Sequence, residues 1–467
     1  MRKLRKIAAF LTASVLCMGL LPPLSASADT WTSLTDTIEW QLDESGTLTV
    51  RGTGEMPDFT CSGYQIKQSE RAFLPMDTED LAPWYTESWE QIRHIVVEEG
   101  ITRISEMAFI GCTNAVSASI PASVTTISNK AFSCCYSMQE VDFAADSQLD
   151  YLGMETFAYN HDLTQITLPE SLTEMSGTAF DHSSLTSLHI PENVNTIHPQ
   201  LFSFMKKNTE FTVDPDNSQY TAVDGVLYNK RQTILFRYPA AREQDTFFTP
   251  DTVQSVEGAA FAYTTNLGMI YFTDNVLSFA SNLFMYSKSA TAVRFPEALY
   301  SLPNQCFVGC MSLRTLLLPV LLGNAQKGFL ETEQLDVYYP GTQEALAEIP
   351  GHSAFTQTGY TLHCNTTEDD LISADLSGDG TVNAQDAAHL LSYAAKCGAD
   401  FNGGLMLYQH KFTDGLVLAP AQSGDGAVPA TLVTGTKADA SDAAVILQYA
   451  AAVGSGYGDG LAAFLDQ

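Results

Sequence analysis

The sequence has few basic residues. It contains 23 Lys and Arg against 54 Asp and Glu among 467 residues. A chain this acidic repels phosphate backbones and anionic lipid, so nucleic acid and a membrane surface are poor partners for it. The Gly-x-Ser-x-Gly, His-Glu-x-x-His and Gly-rich phosphate-loop motifs are also missing. Composition and motifs therefore argue against a nucleic-acid-binding protein and give no sign of an enzyme.

Cysteine is sparse as well. The nine cysteines are too few for a disulfide scaffold, and no Cys/His spacing matches a zinc site. Cys112 and Cys135 are separated by 23 residues. Because a free cysteine behaves as a small apolar residue, we interpret this pair as equivalent buried positions of a repeat.

Long hydrophobic runs are limited to the first residues. Arg-Lys-Leu-Arg-Lys at positions 2–6 precedes an apolar run at 7–21, and Ala26-Ser27-Ala28 follows. The run is too short for a membrane span and fits a signal peptide over residues 1–28. We therefore expect a secreted protein, extracellular or held at the cell surface, without membrane insertion.

What the sequence does have is a phenylalanine repeat in two runs, at 109–202 and 261–329, with steps of 22 to 25 residues within each run. Five of these phenylalanines follow Ala or Gly, a pairing that suits a tight helical turn. A period this regular is typical of a solenoid in which each coil buries its apolar face against its neighbours. The repeating positions are Phe109, Phe132, Phe157, Phe180, Phe202, Phe261, Phe284, Phe307 and Phe329.

An apolar-x-apolar-Pro segment typically precedes the phenylalanine, as in Ile166-Thr167-Leu168-Pro169. Such alternation predicts a short strand with one buried face, which the proline ends. The fold class is thus a leucine-rich-repeat solenoid of about ten coils, with short parallel strands and helical turns. The predicted core positions are Ile95, Ala118, Val141, Ile166, Leu188, Phe247, Ile270, Val293, Leu316 and Val337.

The rest of the chain divides around this solenoid at 91–350. Residues 29–90 predict an N-terminal β cap, and 351–370 a terminal strand and linker. A 59-residue step between Leu188 and Phe247 leaves room for an insertion at 203–246. Strand-like segments at 220–228 and 233–238 predict that this insertion is a β-hairpin.

The side chains that alternate with the core positions change character along the solenoid. They are small and polar in the first half and larger in the second. The second half either forms an exposed ligand face, since aromatic surface binds sugars and proteins, or is covered by the insertion or the C-terminal cap. The candidate ligand-face residues are Phe248, Met269, Tyr271, Arg294, Leu317 and Tyr338.

This pattern, apolar-x-apolar-Pro followed by further apolar anchors, Ala-Phe and Cys, resembles the BspA-like leucine-rich repeats of bacterial surface proteins. The resemblance covers about residues 91–340. It implies adhesion or recognition of a protein or glycan ligand.

The tail contains a calcium-loop pattern over residues 375–386. Calcium loops place oxygen ligands at positions 1, 3, 5, 7, 9 and 12, with glycine at position 6. Gly380 stands at that turn, and Val382 at position 8 completes the pattern. The predicted Ca²⁺ ligands are Asp375, Ser377, Asp379, Thr381 through its carbonyl, Asn383 and Asp386.

A second unit lies 56 residues further on, where Asp442-Ala-Ala-Val-Ile-Leu-Gln-Tyr-Ala-Ala repeats the segment from Asp386. A duplicated loop and helix resembles a dockerin, which implies that residues 371–467 dock onto a cohesin of a cellulosome-type scaffold. The resemblance assigns cohesin contacts to Ala384, Gln385, Leu391, Ser392, Ala440, Ser441, Leu447 and Gln448. Only Asp439 and Asp442 match in the second loop, so we expect one calcium ion.

The function predicted from these parts is ligand recognition by the repeat face, combined with calcium-dependent docking onto a scaffold involved in polysaccharide breakdown. Two alternatives stay open. One is an extracellular hydrolase, either a glycosidase or a protease, with an unrecognised site. The other is a structural spacer.

Overall fold

The computed structural model describes residues 31–198, 202, 204–325, 332–366, 374, 376–377, 381–397, 440–456 and 461. The predicted signal peptide and its cleavage point lie outside them. Among the described residues, no helix has the length and apolarity needed to cross a bilayer.

Parallel strands in three sheets contain nine of the ten predicted core positions and form what we call the wide ribbon; the exception, Ile166, is half-buried and lies in no strand. Ile95 pairs with Ala118, and Ala118 with Val141. All three are buried. Residues of equal register in neighbouring strands point to the same face of the sheet, and this face lies on the core. Its repeat strands are β7 (His94–Val97), β9 (Ser117–Ile120), β11 (Glu140–Phe143), β14 (Ser187–Ile190), β16 (Glu210–Val213), β20 (Thr246–Phe248), β22 (Met269–Tyr271), β24 (Ala292–Arg294), β25 (Thr315–Leu317), β26 (Leu335–Tyr339) and β27 (Tyr360–Cys364).

Most coils then turn onto a short strand on a second side of the solenoid; these strands belong to two further sheets, which we together call the narrow ribbon. The proline after the strand begins a turn, in which its carbonyl accepts from the residue three positions on, as Pro121 does from Val124. In five of these strands one apolar residue, such as Ile127 or Leu152, is buried. The strands are β4 (Gly54–Glu55), β8 (Ile101–Ile104), β10 (Thr126–Ile127), β12 (Tyr151–Leu152), β13 (Glu174–Met175), β15 (Thr196–Ile197), β21 (Ser255–Val256) and β23 (Ser278–Phe279).

The phenylalanines close the coils from inside, as predicted, except for Phe329, which lies outside the described residues. The turns that carry them are not helical at Phe109, Phe132 and Phe157. The amide of each bonds to the following coil, for example Phe109 N to Ala131 O at 2.8 Å. Residues with positive φ, such as Lys130 at 57°, turn the chain there. The backbone amides of these turns therefore form hydrogen bonds to the following coil in place of the i to i−4 bonds of a helix.

The N-terminal cap joins the solenoid through an antiparallel hairpin. Its strands, β2 (Ile38–Leu42) and β3 (Thr47–Gly52), pair together, and β3 continues in parallel onto β7. Trp84 of α1 (Pro83–Ser88) covers the first phenylalanine, with ring centroids 5.5 Å apart, and donates Nε1–H to Ala108 O. The remaining cap strands are β1 (Thr32–Ser33), β5 (Tyr64–Lys67) and β6 (Ala72–Pro75).

The insertion differs from the prediction in two ways. Its first strand, β16, is an ordinary coil strand, because Leu188 of β14 pairs with Phe211 at the normal step of 23 residues. Adding Phe211 to the ten predicted positions gives eleven coils. What remains is a three-stranded meander instead of a hairpin, because the segment 220–228 turns at Asp224-Gly225, where both φ values are positive. Its strands are β17 (Tyr220–Val223), β18 (Val226–Asn229) and β19 (Ile234–Arg237), and β19 pairs with β21 of the narrow ribbon.

The C-terminal end of the solenoid carries α2 (Gln343–Ala347), and β27 extends the wide ribbon beyond β26. In the tail, α3 (Ala384–Cys397) and α4 (Ala440–Gly454) contact each other. They bury residues at matching positions: Ala387, Leu390 and Tyr393 in α3, and Ala443, Ile446 and Tyr449 in α4.

Candidate recognition surfaces

The first half of the wide ribbon has an exposed polar outer face. Its side chains form two rows that run across the strands, along the direction in which the coils stack. Residues of equal register in neighbouring parallel strands lie beside one another in each row. Hydrogen bonds link some neighbours within a row: His94 Nδ1 lies 2.9 Å from Ser117 Oγ, and His189 Nδ1 lies 3.0 Å from Thr212 Oγ1. The exposed members are His94, Ser119, Glu140, Asp142, Gln165, Thr167, His189, Glu210 and Thr212.

Two of these residues, Glu210 and Thr212, were not among those predicted from the sequence, because the coil at Phe211 was assigned to the insertion. The step of 23 from Leu188 to Phe211 was the signal that identifies it. Nearby, ligand atoms of Glu170, His189 and Asp214 all lie within 4.8 Å of one another. The polar face thus extends over the first six coils.

The candidate ligand-face residues of the second half are largely buried, so of the two open alternatives the structure does not favour an exposed ligand face. Met269, Tyr271, Arg294 and Leu317 are 8%, 1%, 3% and 7% exposed. Phe248 and Tyr338 are half-buried.

Stacking along the ribbon accounts for part of this burial. The rings of Phe248 and Tyr271 stack with centroids 4.9 Å apart, and the Arg294 guanidinium lies 4.7 Å from the Tyr271 ring centroid. Arg294 also forms an ion pair with Asp274, Nη1 to Oδ1 at 2.7 Å. These side chains satisfy one another, so they do not form the exposed aromatic surface that the sequence suggested.

The calcium-loop residues fall partly within the described chain. Asp386 is fully buried at the start of α3. Its Oδ1 accepts from Ser377 N at 2.8 Å and its Oδ2 from Asn383 N at 2.7 Å, so one carboxylate ties together both sides of the loop. Asn383 also donates through Nδ2 to Thr381 O at 3.3 Å, so Thr381 belongs to the same side of the loop. Asp375, Asp379 and Asp439 lie outside the described residues.

The residues assigned to cohesin binding are exposed on α3 and α4. Leu391 and Leu447 occupy equivalent positions of the two helices and are 42% and 43% exposed. Ala384, Gln385, Ser392, Ala440, Ser441 and Gln448 are exposed beside them. Asp442 is 1% exposed at the position that Asp386 occupies in the first unit. The two units therefore repeat the same division into buried and exposed residues.

Comparisons with known proteins agree with the fold. The sequence matches the family described as "BspA type Leucine rich repeat region" in six copies, over residues 85–209 and 239–357, more than half of the chain. No curated protein matches. The match with this family and the structures below concerns repeat proteins, not enzymes.

Several solved structures are similar. A leucine-rich repeat protein from Eubacterium ventriosum is 27% identical, with 66% of this chain and 77% of that chain covered and a TM-score of 0.54. A leucine-rich cell surface protein from Faecalibacterium prausnitzii is 21% identical, covering 73% and 97% with a TM-score of 0.47. The pneumococcal vaccine antigen PcpA is 15% identical, covering 72% and 99% with a TM-score of 0.48.

Proposed function

The chain belongs to the BspA-type leucine-rich repeat family, and on that basis we propose that it is an exported recognition protein that binds a protein partner through the first half of its wide ribbon. The observation that carries this proposal is the contrast between the two halves. The first presents exposed polar side chains over six coils, whereas four of the six candidate residues of the second are buried.

The chemistry of the exposed half favours a basic partner. Glu140, Asp142 and Glu210 are acidic, and the chain as a whole carries a formal net charge of −31. Complementary charge accelerates association and selects against acidic partners. Binding should therefore weaken as the salt concentration rises. The rigid stack of strands holds these side chains in place before a partner arrives, which limits the entropy lost on binding.

Charge reversal on this face tests the proposal. The variant Glu140→Lys/Asp142→Lys and the matched control Glu44→Lys/Glu243→Lys change the same number of exposed acids. Both are compared with the unmodified chain on an array of extracellular proteins and glycans at low and physiological salt. We expect the ribbon variant alone to lose its protein ligands; equal binding by both variants would reject the ribbon as the recognition surface.

We further propose that the tail is a dockerin-like module that binds Ca²⁺ and attaches the protein to a cohesin of a scaffold. The described part of the loop fits this ion chemically, since Ser377, Thr381, Asn383 and Asp386 offer oxygen donors, which Ca²⁺ requires. Asp386 is a buried carboxylate, a group that is costly to bury without compensating charge. Bound Ca²⁺ would supply that charge and order the loop before α3.

Repetition supports the docking surface. Leucines with more than two-fifths of their surface exposed stand at the same position of both helices, at Leu391 and Leu447. An exposed leucine alone needs no explanation, but two at equivalent positions next to Ser392 and Gln448 form an apolar centre with a polar rim, as interfaces do.

Calcium titration of the full chain tests this part separately. We expect isothermal titration calorimetry to show about one Ca²⁺ per chain, and the Asn383→Ala and Asp386→Asn variants to weaken that binding. Capture by a panel of immobilised cohesins should disappear with a chelator. Absence of calcium binding, or capture that a chelator does not affect, would contradict the docking proposal and leave the ribbon proposal standing.

A further inference from the structure

A cleft of about 390 Å³ lies between the N-terminal cap and the side of the solenoid, away from the wide ribbon. The turn between β5 and β6 contributes one wall, and the turns that follow Phe157, Phe180 and Phe202 contribute the other. Its walls include Arg71, His182, Ser183, Phe204, Lys206 and Lys207. Sequence periodicity does not reveal this cleft, because the cap residues belong to no repeat.

The cleft is positively charged in an acidic protein. It collects three of the 23 basic residues of the chain, Arg71, Lys206 and Lys207, against one carboxylate, Asp162. Arg71 forms a two-pronged ion pair with Asp162, with Nη1 and Oδ2 3.0 Å apart in one of its two bonds. One carboxylate leaves two positive charges uncompensated within the cleft. Like charges repel, so their grouping costs free energy unless an anion joins them.

The two lysines are held by neighbouring groups. Lys207 Nζ donates to Ser184 Oγ at 3.0 Å, and Lys206 Nζ lies 4.7 Å from the ring centroid of Tyr263. These contacts restrict the side chains without neutralising them. Restricted cations lose less conformational entropy when they bind an anion.

Two polar groups of the wall have no partner. Ser183 is 5% exposed, and its Oγ makes no hydrogen bond. The same holds for the buried Nδ1 of His182. Burial without a partner costs free energy, and such groups often mark a place where a ligand or water binds. Burial also lowers the pKa of His182 to about 4, so its ring is neutral at pH 7 and adds hydrogen-bonding capacity without charge.

A column of rings forms the floor of the cleft. His182 stacks between Tyr159 and Phe204, with centroid distances of 4.6 and 4.4 Å. Phe204 lies between His182 and Tyr263, with centroid distances of 4.4 and 5.1 Å, so the edge of this half-buried ring is what a ligand can contact. An aromatic edge next to hydroxyl groups suits an apolar part of a sugar, while the sugar hydroxyls bond to the polar wall.

We propose that this cleft binds an acidic monosaccharide unit of a glycan. Its carboxylate would lie against Lys206, Lys207 and Arg71. Its ring would contact the edge of Phe204, and its hydroxyls would reach Ser183 and Ser184. The cleft volume fits a single sugar unit, at the lower end of small-molecule sites. This site is independent of the wide ribbon and of the calcium-dependent tail.

The test uses the full chain and four probes: N-acetylneuraminic acid, glucuronic acid, neutral glucose and inorganic phosphate. Binding of the three sugars is measured by saturation-transfer NMR, and binding of all four probes by calorimetry. The variant Lys206→Gln/Lys207→Gln is compared with Lys230→Gln/Lys288→Gln, which removes two exposed lysines outside the cleft. A third variant, Phe204→Leu, removes the ring.

We expect at least one acidic sugar to bind tenfold or more tightly than glucose. The cleft variant should lose tenfold or more in affinity, the control should lose none, and Phe204→Leu should weaken the sugar but not phosphate. Phosphate binding as tight as that of both acidic sugars would reduce the cleft to a general anion site and overturn the proposal. So would equal loss in the cleft and control variants, or no binding of either acidic sugar.

Discussion

The rings of Phe132 and Phe157 lie nearly parallel, with centroids 5.4 Å apart and an angle of 11° between their planes. Phe109 stacks on one side of this pair and Phe180 on the other, at 5.1 and 5.9 Å. The column follows from the repeat period, because each coil places its phenylalanine directly against that of the next. Each ring thus stabilises the interface between two coils as well as its own turn.

Replacing Phe132 with alanine should destabilise the solenoid by about 3–5 kcal/mol, because it removes a fully buried ring and leaves a cavity between two neighbours. The midpoint of urea unfolding, followed by circular dichroism, measures the loss. Leu277→Ala is the control, since Leu277 is 69% exposed. A midpoint shift no larger than that of the control would contradict the role assigned to the column.

The buried cysteines should resist alkylation in the folded protein. Among the described residues none forms a disulfide, and Cys112, Cys134, Cys135, Cys306 and Cys310 are buried. Burial raises the pKa of Cys112 to about 12, so its reactive thiolate is almost absent at pH 8. Cys135 Sγ, one period later, lies 3.3 Å from Phe109 O.

Mass spectrometry after iodoacetamide treatment, with and without urea, checks this prediction. We expect labels on the half-buried Cys61 and Cys364 under native conditions. Labels on the five buried cysteines should appear only in urea. Native labelling of Cys112 at the rate of Cys61 would show that this part of the solenoid opens readily.

Much of the solenoid could be predicted from the sequence, because one period places every repeated side chain. The core positions, the phenylalanine column and the buried Cys112 and Cys135 are all consequences of that period. Phe211 was missed because the meander follows it directly and the long step to Phe247 was treated as a single insertion. Periodicity identifies equivalent positions, but it does not tell where an insertion begins.

The candidate sites were harder to predict, because they depend on what lies beside the repeat. Alternation correctly gave the outer row to which Tyr271 and Arg294 belong. It could not show that Phe248 stacks on Tyr271 and that Asp274 forms an ion pair with Arg294, nor that the side chains of Tyr271 and Arg294 are buried. The basic cleft combines Arg71 of the cap with Lys206 of a distant coil, a juxtaposition that sequence spacing does not encode.

Substitution of both exposed leucines of the tail should abolish capture by cohesins, if the docking proposal holds. In Leu391→Lys/Leu447→Lys, charged side chains replace the apolar centre of the surface, but the buried residues of α3 and α4 are unchanged. Calcium binding should persist, as measured by calorimetry. Leu277→Lys on the solenoid serves as the control, and loss of capture in the control as well would point to a nonspecific effect.

Asp181 should make stability depend on pH. It is 6% exposed, and burial raises the pKa of its carboxyl from 3.8 to about 8, with Phe204 N–H and Arg237 acting in the opposite direction and Glu155 adding to the rise. The folded state therefore favours the protonated acid. Its contribution is fully present below pH 4 and is lost as the pH rises through 8, at up to about 1.4 kcal/mol per pH unit.

Asp181→Asn removes this titration while keeping an oxygen that can accept from Phe204 N–H. The difference in melting temperature, variant minus unmodified chain, should be smallest at pH 4 and should grow in favour of the variant up to pH 8. Comparing the two proteins at each pH cancels the titration of all other groups. Glu243→Gln, an exposed acid, should show no such trend. A constant difference across the range would mean that Asp181 ionises in the folded protein with an ordinary pKa, and that Arg237 compensates its charge.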